Sequence, residues 1–311
     1  NNRRRKYQSC LSIDNCPFNS FGRRYNRDNT WFRKSVPADI VQIVSVLIYL
    51  LCFTLHYFSF QIYLMIMKLK FAKRMSYIKA SEIREILKVT EREDVISFAG
   101  GLPAPELFPI DEINKMNQVV LQEAGAKALQ YTTTEGYYPL REWIAKRMNE
   151  RLGTSFDKDN ILITHGSQQG LDLSGKVFLD DGDIVLCESP TYLAAISAFK
   201  SYGSGFIEIP TDEEGMDMAT LEEVLNNTQN IKLIYVIPTF QNPTGKTWSL
   251  ERRKKLAELS ALYDIPVIED NPYGELRFEG ESLPSIKSFD KVGNILCTGS
   301  FSKIFCPGFR I

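Results

Sequence analysis

Thr298-Gly299-Ser300-Phe301-Ser302-Lys303, running on to Pro307-Gly308-Phe309-Arg310, is the stretch whose reading decides the fold. Residues 294–298 form a short run that reads as a strand. Lys303 then arrives on a loop of small hydroxyl residues, with Arg310 seven positions on. A lone Ser-x-Lys is more often a surface charge than a reacting group. Three strand ends upstream change that balance. Asp270 closes a strand over 266–270 with Tyr273 just behind it, Asn242-Pro243 follow a strand over 233–237, and the turn Gly166-Ser167-Gln168 follows one over 161–164.

Between these ends the chain alternates strand and helix. Further strands are expected at 184–187 and 206–210, and helices from Asp111 to about Glu123, at 139–151, at 194–201 and at 250–263. The run 233–237 is apolar throughout, as expected of a strand covered on both faces of a parallel sheet. Leu140, Trp143, Ile144 and Met148 form the apolar side of the 139–151 helix. Thr220 with Glu223 reads as a capping box at the head of the helix before Asn227. Ser81 caps a helix with Ile83, Ile86 and Leu87 on one face. A short strand at 95–98 leads into Gly100-Gly101, where two glycines let the backbone pass close to a ligand. At Gly166–Gln168 a helix begins, and its unpaired N–H groups and positive dipole end suit an anion. An ordinary N-cap uses the same geometry, so that turn is weak by itself.

In this order the four strand-end sites resemble the pyridoxal-phosphate-dependent aminotransferases of fold type I, class I/II. The branch most alike holds the aminoadipate and kynurenine aminotransferases and the catalytic-like half of MocR-type regulators. The resemblance runs from about Met75 to Ile311. It implies an α/β fold, the fold type I large domain, with a mostly parallel central sheet and helices on both faces. It also implies pyridoxal 5'-phosphate as cofactor and amino-group exchange between an α-amino acid and a 2-oxo acid through a Lys303 Schiff base. In that scheme Lys303 is also the general base, its pKa lowered by burial and cationic surroundings.

The resemblance assigns the remaining residues by position. Asp270 faces the pyridine nitrogen and keeps it protonated, so that the ring can accept electrons. Tyr192 lies flat against the ring, and Asn242 and Tyr273 share its phenolic oxygen. Ser167, Gln168, Ser300, Ser302 and Arg310 hold the phosphate, for which the planar guanidinium fork is well shaped. Tyr131 reaches across a homodimer interface to the partner subunit's cofactor, and the Gly101 backbone borders the substrate. Family members continue past the phosphate arginine. The arginine that binds the substrate carboxylate is therefore expected beyond Ile311, and turnover by residues 1–311 alone is not expected.

Totals exclude little. The chain has 311 residues, 44% hydrophobic and 24% charged, with a net charge of −1, and nothing global argues for a nucleic-acid partner. Residues 1–38 carry nine Lys/Arg against two Asp, a charge of +7, while the rest carries 28 against 36. This basic stretch reads as disordered. Residues 40–67 contain no charged side chain, more than the roughly 20 apolar residues a membrane helix needs. The apolar segment 39–68 is thus either a transmembrane anchor or an extension foreign to the natural protein, with Met75 as a start. The folded part from residue 75 is expected in the cytoplasm. Six cysteines without a CxxC pair and two histidines, His56 and His165, give no metal cluster. Gly245-Lys246-Thr247 is not a nucleotide-phosphate loop, because Phe240 stands where that motif requires glycine. Two other readings stand beside transamination: a MocR-like regulator, which needs a winged helix-turn-helix ahead of the domain, and another fold type I chemistry such as a lyase or decarboxylase.

Overall fold

The computed structural model describes residues 43–44, 46–55, 57–58, 70–78, 94–96 and 101–311. The chain divides into two units, Asn1–Lys70 and Phe71–Ile311. In the first, residues 43–44, 46–55 and 57–58 are helical and exposed. Among the described residues no helix is long and apolar enough to cross a membrane. The span expected over 40–67 is therefore unsupported, and the remainder of that stretch lies outside the described residues. So do 1–38, the Ser81 helix and residues 97–98 of the expected 95–98 strand.

The second unit is built on one six-stranded sheet. Its strands are β1 (Ile184–Ser189), β2 (Gly205–Asp212), β3 (Gly215–Met216), β4 (Ile231–Val236), β5 (Val267–Asp270) and β6 (Ile295–Thr298), in the order β3-β2-β1-β4-β5-β6. All neighbours run parallel except β3, which turns back on β2. The helices are α1 (Ile110–Ala128), α2 (Tyr138–Leu152), α3 (Ser167–Phe178), α4 (Leu193–Lys200), α5 (Met218–Asn227) and α6 (Leu250–Tyr263).

Side chains alternate across a strand, and here the alternation sorts the core into two layers. Val185, Cys187, Leu233, Tyr235, Ile237 and Ile268 pack with Leu171 of α3 and Ala195, Ala198 and Phe199 of α4. Leu186, Ile234, Val236 and Val267 pack on the opposite face with Leu221 and Leu225 of α5, Leu256 and Leu259 of α6, and Trp248. A sheet covered on both faces needs strands that are apolar at consecutive positions, as β4 is.

Local expectations failed where a polar side chain had a better use than periodicity assigns it. The helix before Asn227 is capped by Asp217, whose carboxylate accepts from Ala219 N and Thr220 N, so the Thr220–Glu223 capping box does not form. On α2, Trp143 is 47% exposed while Arg141 is buried at 6%. Arg141 lies inward because its guanidinium donates to the carbonyls of Gly136 and Lys158. Residues 161–164 form no ladder; Ile163 N donates to Glu135 O at 2.9 Å, and one bond does not make a strand. Helix α1 runs past Glu123 to Ala128, with a kink at Ala124.

Candidate active site

The chain proceeds outward from β1 to β2 and β3, then returns across β1 to lay down β4, β5 and β6 on its other side. In an open parallel sheet such a reversal leaves a crevice at the carboxyl ends of the flanking strands, where ligands bind. Here those strands are β1 and β4. Tyr192 follows β1, Asn242 follows β4, Asp270 ends β5, and Lys303 follows β6. Four of the residues singled out in the sequence thus sit beyond the same edge of one sheet.

Asp270 is 2% exposed. Its parity with Ile268 directs it to the α3–α4 face, and its oxygens accept from Tyr235 Oη and Thr298 Oγ1, each at 2.8 Å. Among the described residues no cation pairs with it. Burial pushes its pKa up, and the two hydroxyls draw it back. Tyr192 lies close by: burial, Tyr273 and Asp270 raise its phenol above the usual range, while Arg310 acts the other way. Asn242 Nδ2 donates to Tyr273 Oη at 3.1 Å, so the two polar tips stand side by side.

Lys303 Nζ donates to Gly101 O at 2.8 Å. Gly101 has φ +54, a conformation that favours glycine. Burial depresses the Lys303 pKa, which favours the neutral amine that a nucleophile or base must be. At the head of α3, Gly166 has φ +74, and a Cβ there would lie 3.0 Å from an Arg310 guanidinium nitrogen. The absent side chain lets that guanidinium lie against the start of the helix. Two sources of positive potential therefore converge, the Arg310 charge and the N–H end of α3. A cavity of about 490 Å³ opens beside them, lined in part by His165, Gln168, Asp172 and Arg310.

Other expected residues are less engaged. Ser300 Oγ accepts from Ser302 N at 3.1 Å and donates to Ile311 O at 3.4 Å, holding the lysine loop to itself. The Gln168 side chain donates to Ala194 O at 3.4 Å. Tyr131 is 98% exposed.

Two buried acids stiffen the loops that carry the site. Glu188, 1% exposed, accepts from Trp248 Nε1 and Ile237 N, each at 2.8 Å. Gln241 Nε2 adds a bond to Pro190 O at 2.7 Å. The Tyr192 and Asn242 loops are thus stapled to each other. Burial pushes Glu188 up to about 7. Glu269 faces the other side, accepting from Ile286 N and Lys287 N with Arg253 at 4.0 Å.

The arrangement offers a positive, N–H-rich end, a flat aromatic face, a buried carboxylate lacking a cation and an amine whose pKa burial lowers. Tyr235 and Thr298 were not singled out as site residues in the sequence. Tyr235 reads as core within the apolar run 233–237, yet a buried tyrosine hydroxyl needs a partner, and that need was the available signal.

Beyond geometry, the sequence profile for aminotransferase class I and II matches residues 93–311. The chain belongs to that family. Aromatic-amino-acid aminotransferase 1 of Thermococcus litoralis is 51% identical over 245 residues, covering 78% of this chain and 59% of that protein. The 2-aminoadipate transaminase of Thermus thermophilus is 46% identical over 78% of this chain and 60% of its own length. A crystal structure of Pyrococcus horikoshii kynurenine aminotransferase, in complex with PMP, superposes with a TM-score of 0.72 at 48% identity, covering 77% of this chain and 60% of that one. This class I and II chain therefore spans about 60% of the length of the relatives it matches.

Proposed function

We propose that the chain carries the pyridoxal-phosphate site of a transaminase, which exchanges an amino group between an α-amino acid and a 2-oxo acid. The observation that carries this reading is Asp270, a fully buried carboxylate held by two neutral hydroxyls, at the same sheet edge as Lys303, whose pKa burial lowers. A carboxylate is costly to bury without a counter-charge. A protonated ring nitrogen supplies one. The other end of such a ligand, an anionic phosphate, suits Arg310, Ser167 and the head of α3.

When bound, pyridoxal phosphate supplies an aldehyde that captures amino groups and a ring that accepts electrons from the α-carbon. This chain's residues do the rest. Asp270 holds the proton on the ring nitrogen, Tyr192 gives the ring a flat surface, and Asn242 and Tyr273 donate to the phenolic oxygen. Lys303 Nζ, its pKa lowered by burial, would act as the base that takes the α-proton and as the acid that delivers it to the cofactor's C4′ carbon. Gly101 O, already bonded to Lys303, sits where a substrate passes. Ser300 and Ser302 shape the lysine loop and add hydroxyls toward the phosphate. Tyr131, exposed here, fits a role on the cofactor of a second copy in a homodimer. The names of the relatives favour aromatic, kynurenine or aminoadipate donors.

The test is amino-group exchange by full-length protein loaded with pyridoxal phosphate, across a panel of donors and 2-oxo acids. Lys303→Ala is expected to abolish the protein's yellow colour and lower exchange by about 10²–10⁴-fold or more. Wild-type protein that stays colourless, or a Lys303→Ala variant that turns over normally, overturns the reading.

A further inference from the structure

The sheet edge holds two side chains that none of the roles above uses, Tyr235 and Thr298. We propose that they are positioning residues: their hydroxyls clamp the Asp270 carboxylate from the two neighbouring strands so that its remaining lone pairs meet the ring nitrogen of bound pyridoxal phosphate. The inference rests on the transaminase reading and deepens it.

The clamp is symmetric about β5. Thr298 is paired with Asp270 in the β5–β6 register, and its Oγ1 reaches one carboxylate oxygen at 2.8 Å. On the other side, Tyr235 is paired with Ile268, two residues before Asp270 on the same face. Its ring spans that offset to place Oη 2.8 Å from the second oxygen. The ring itself is fixed, being 1% exposed and packed edge-on against Phe199 with centroids 5.8 Å apart. Each carboxylate oxygen has two lone pairs, and each spends one on a hydroxyl. One lone pair per oxygen is left, directed by donors that cannot swing away.

The identity of the donors matters as much as their position. An arginine or lysine here would compensate the charge permanently and compete with the ligand. Hydroxyls stabilise the carboxylate while leaving it short of a counter-charge. The ionisable groups bearing on Asp270 are Tyr235 from β4, Cys297 from β6 and Tyr192 at the head of α4. The acidity of all three is suppressed by burial, so they remain neutral. Glu269 points to the opposite face.

The experiment compares wild type with Tyr235→Phe, Thr298→Val and Thr298→Ser in the full-length protein. Phenylalanine fills the same core space, so Tyr235→Phe removes the donor and little else. In cofactor-free protein, carboxyl infrared difference spectra should show Asp270 protonating at a pH about one unit higher in Tyr235→Phe, the change expected on losing a hydrogen bond to a charged group. Its dissociation constant for pyridoxal phosphate should rise about tenfold. The pH at which the bound cofactor changes colour should also rise, because a less protonated ring withdraws fewer electrons. Thr298→Val should move all three readings the same way, and Thr298→Ser, which keeps the hydroxyl, should restore them. An unmoved Asp270 titration and unchanged affinity in Tyr235→Phe overturn the proposal. Wild-type protein that binds no pyridoxal phosphate, even where Tyr235→Phe shifts Asp270, overturns the transaminase reading and this inference with it.

Discussion

Glu269 and Asp270 are consecutive on β5, both fully buried, and point to opposite faces of the sheet. Glu269 meets two backbone N–H groups, with the Arg253 guanidinium 4.0 Å away. Arg253 in turn donates to Trp248 O, Pro238 O and Pro284 O, tying the Asn242 loop to the segment before Ile286. Asp270 has Tyr235 and Thr298. One acid is compensated within the chain and braces the scaffold, while the other is left needing a positive partner. Equal burial with unequal compensation separates a structural carboxylate from one kept for a ligand.

The largest expected effect on stability belongs to the braced side. Glu269→Gln leaves Arg253 buried without its counter-charge and should cost about 3–5 kcal/mol in denaturant unfolding. A loss under about 1 kcal/mol would mean that Arg253 is held by its carbonyl partners alone.

Glu188 supplies the next effect, through pH. Its folded pKa, about 7, lies above the value of about 4.3 expected for the unfolded chain. Between these values the folded state binds more protons, so this residue's contribution is full below the lower value and is lost as pH rises through the upper one. The change should be about 4 kcal/mol over that window. Glu188→Gln should flatten it, at the cost of leaving Trp248 Nε1 or Ile237 N without an acceptor. An equally steep profile in the variant would assign the pH dependence to another group.

Asp270→Asn should alter the stability of cofactor-free protein by no more than about 1 kcal/mol, because it removes a buried charge that has no charged partner to strand, and the hydroxyl facing the new amide group can accept instead of donate. Cofactor affinity should nevertheless collapse. If Asp270→Asn destabilises as much as Glu269→Gln, the contrast between the two acids disappears. The smallest effect is expected at the surface: Arg147→Met, which breaks the half-exposed pair with Glu275, should cost under about 1 kcal/mol. A larger loss would show that burial is not what sets the scale.

Much of this was legible in the chain itself. The apolar run of β4, the acid at the end of β5 and the Ser-x-Lys after β6 are strand-end signals that one parallel sheet must bring to one edge. The choice of Asp270 over Glu269 came from its place at the strand end and from the resemblance; parity could not decide it, because Val267 and Ile268 are equally apolar. What could not be read was polar chemistry that overrides pattern. Arg141 is buried because carbonyls of Gly136 and Lys158 await it, a fact set by tertiary contact and invisible to hydrophobic periodicity. Asp217 displaced the expected capping box because its carboxylate reaches two N–H groups first. Tyr235 looked like core and is core, and its function resides in one hydroxyl whose partner lies 35 residues away.

The central claim is that Asp270 is built to be completed by a protonated ring nitrogen. The nitrogen-15 chemical shift of labelled pyridoxal phosphate bound to the full-length protein measures that directly. A ring nitrogen that stays protonated to pH values where the free cofactor has lost its proton, and loses this protection in Asp270→Asn, is the predicted result. A neutral ring nitrogen in wild type at the same pH would contradict it.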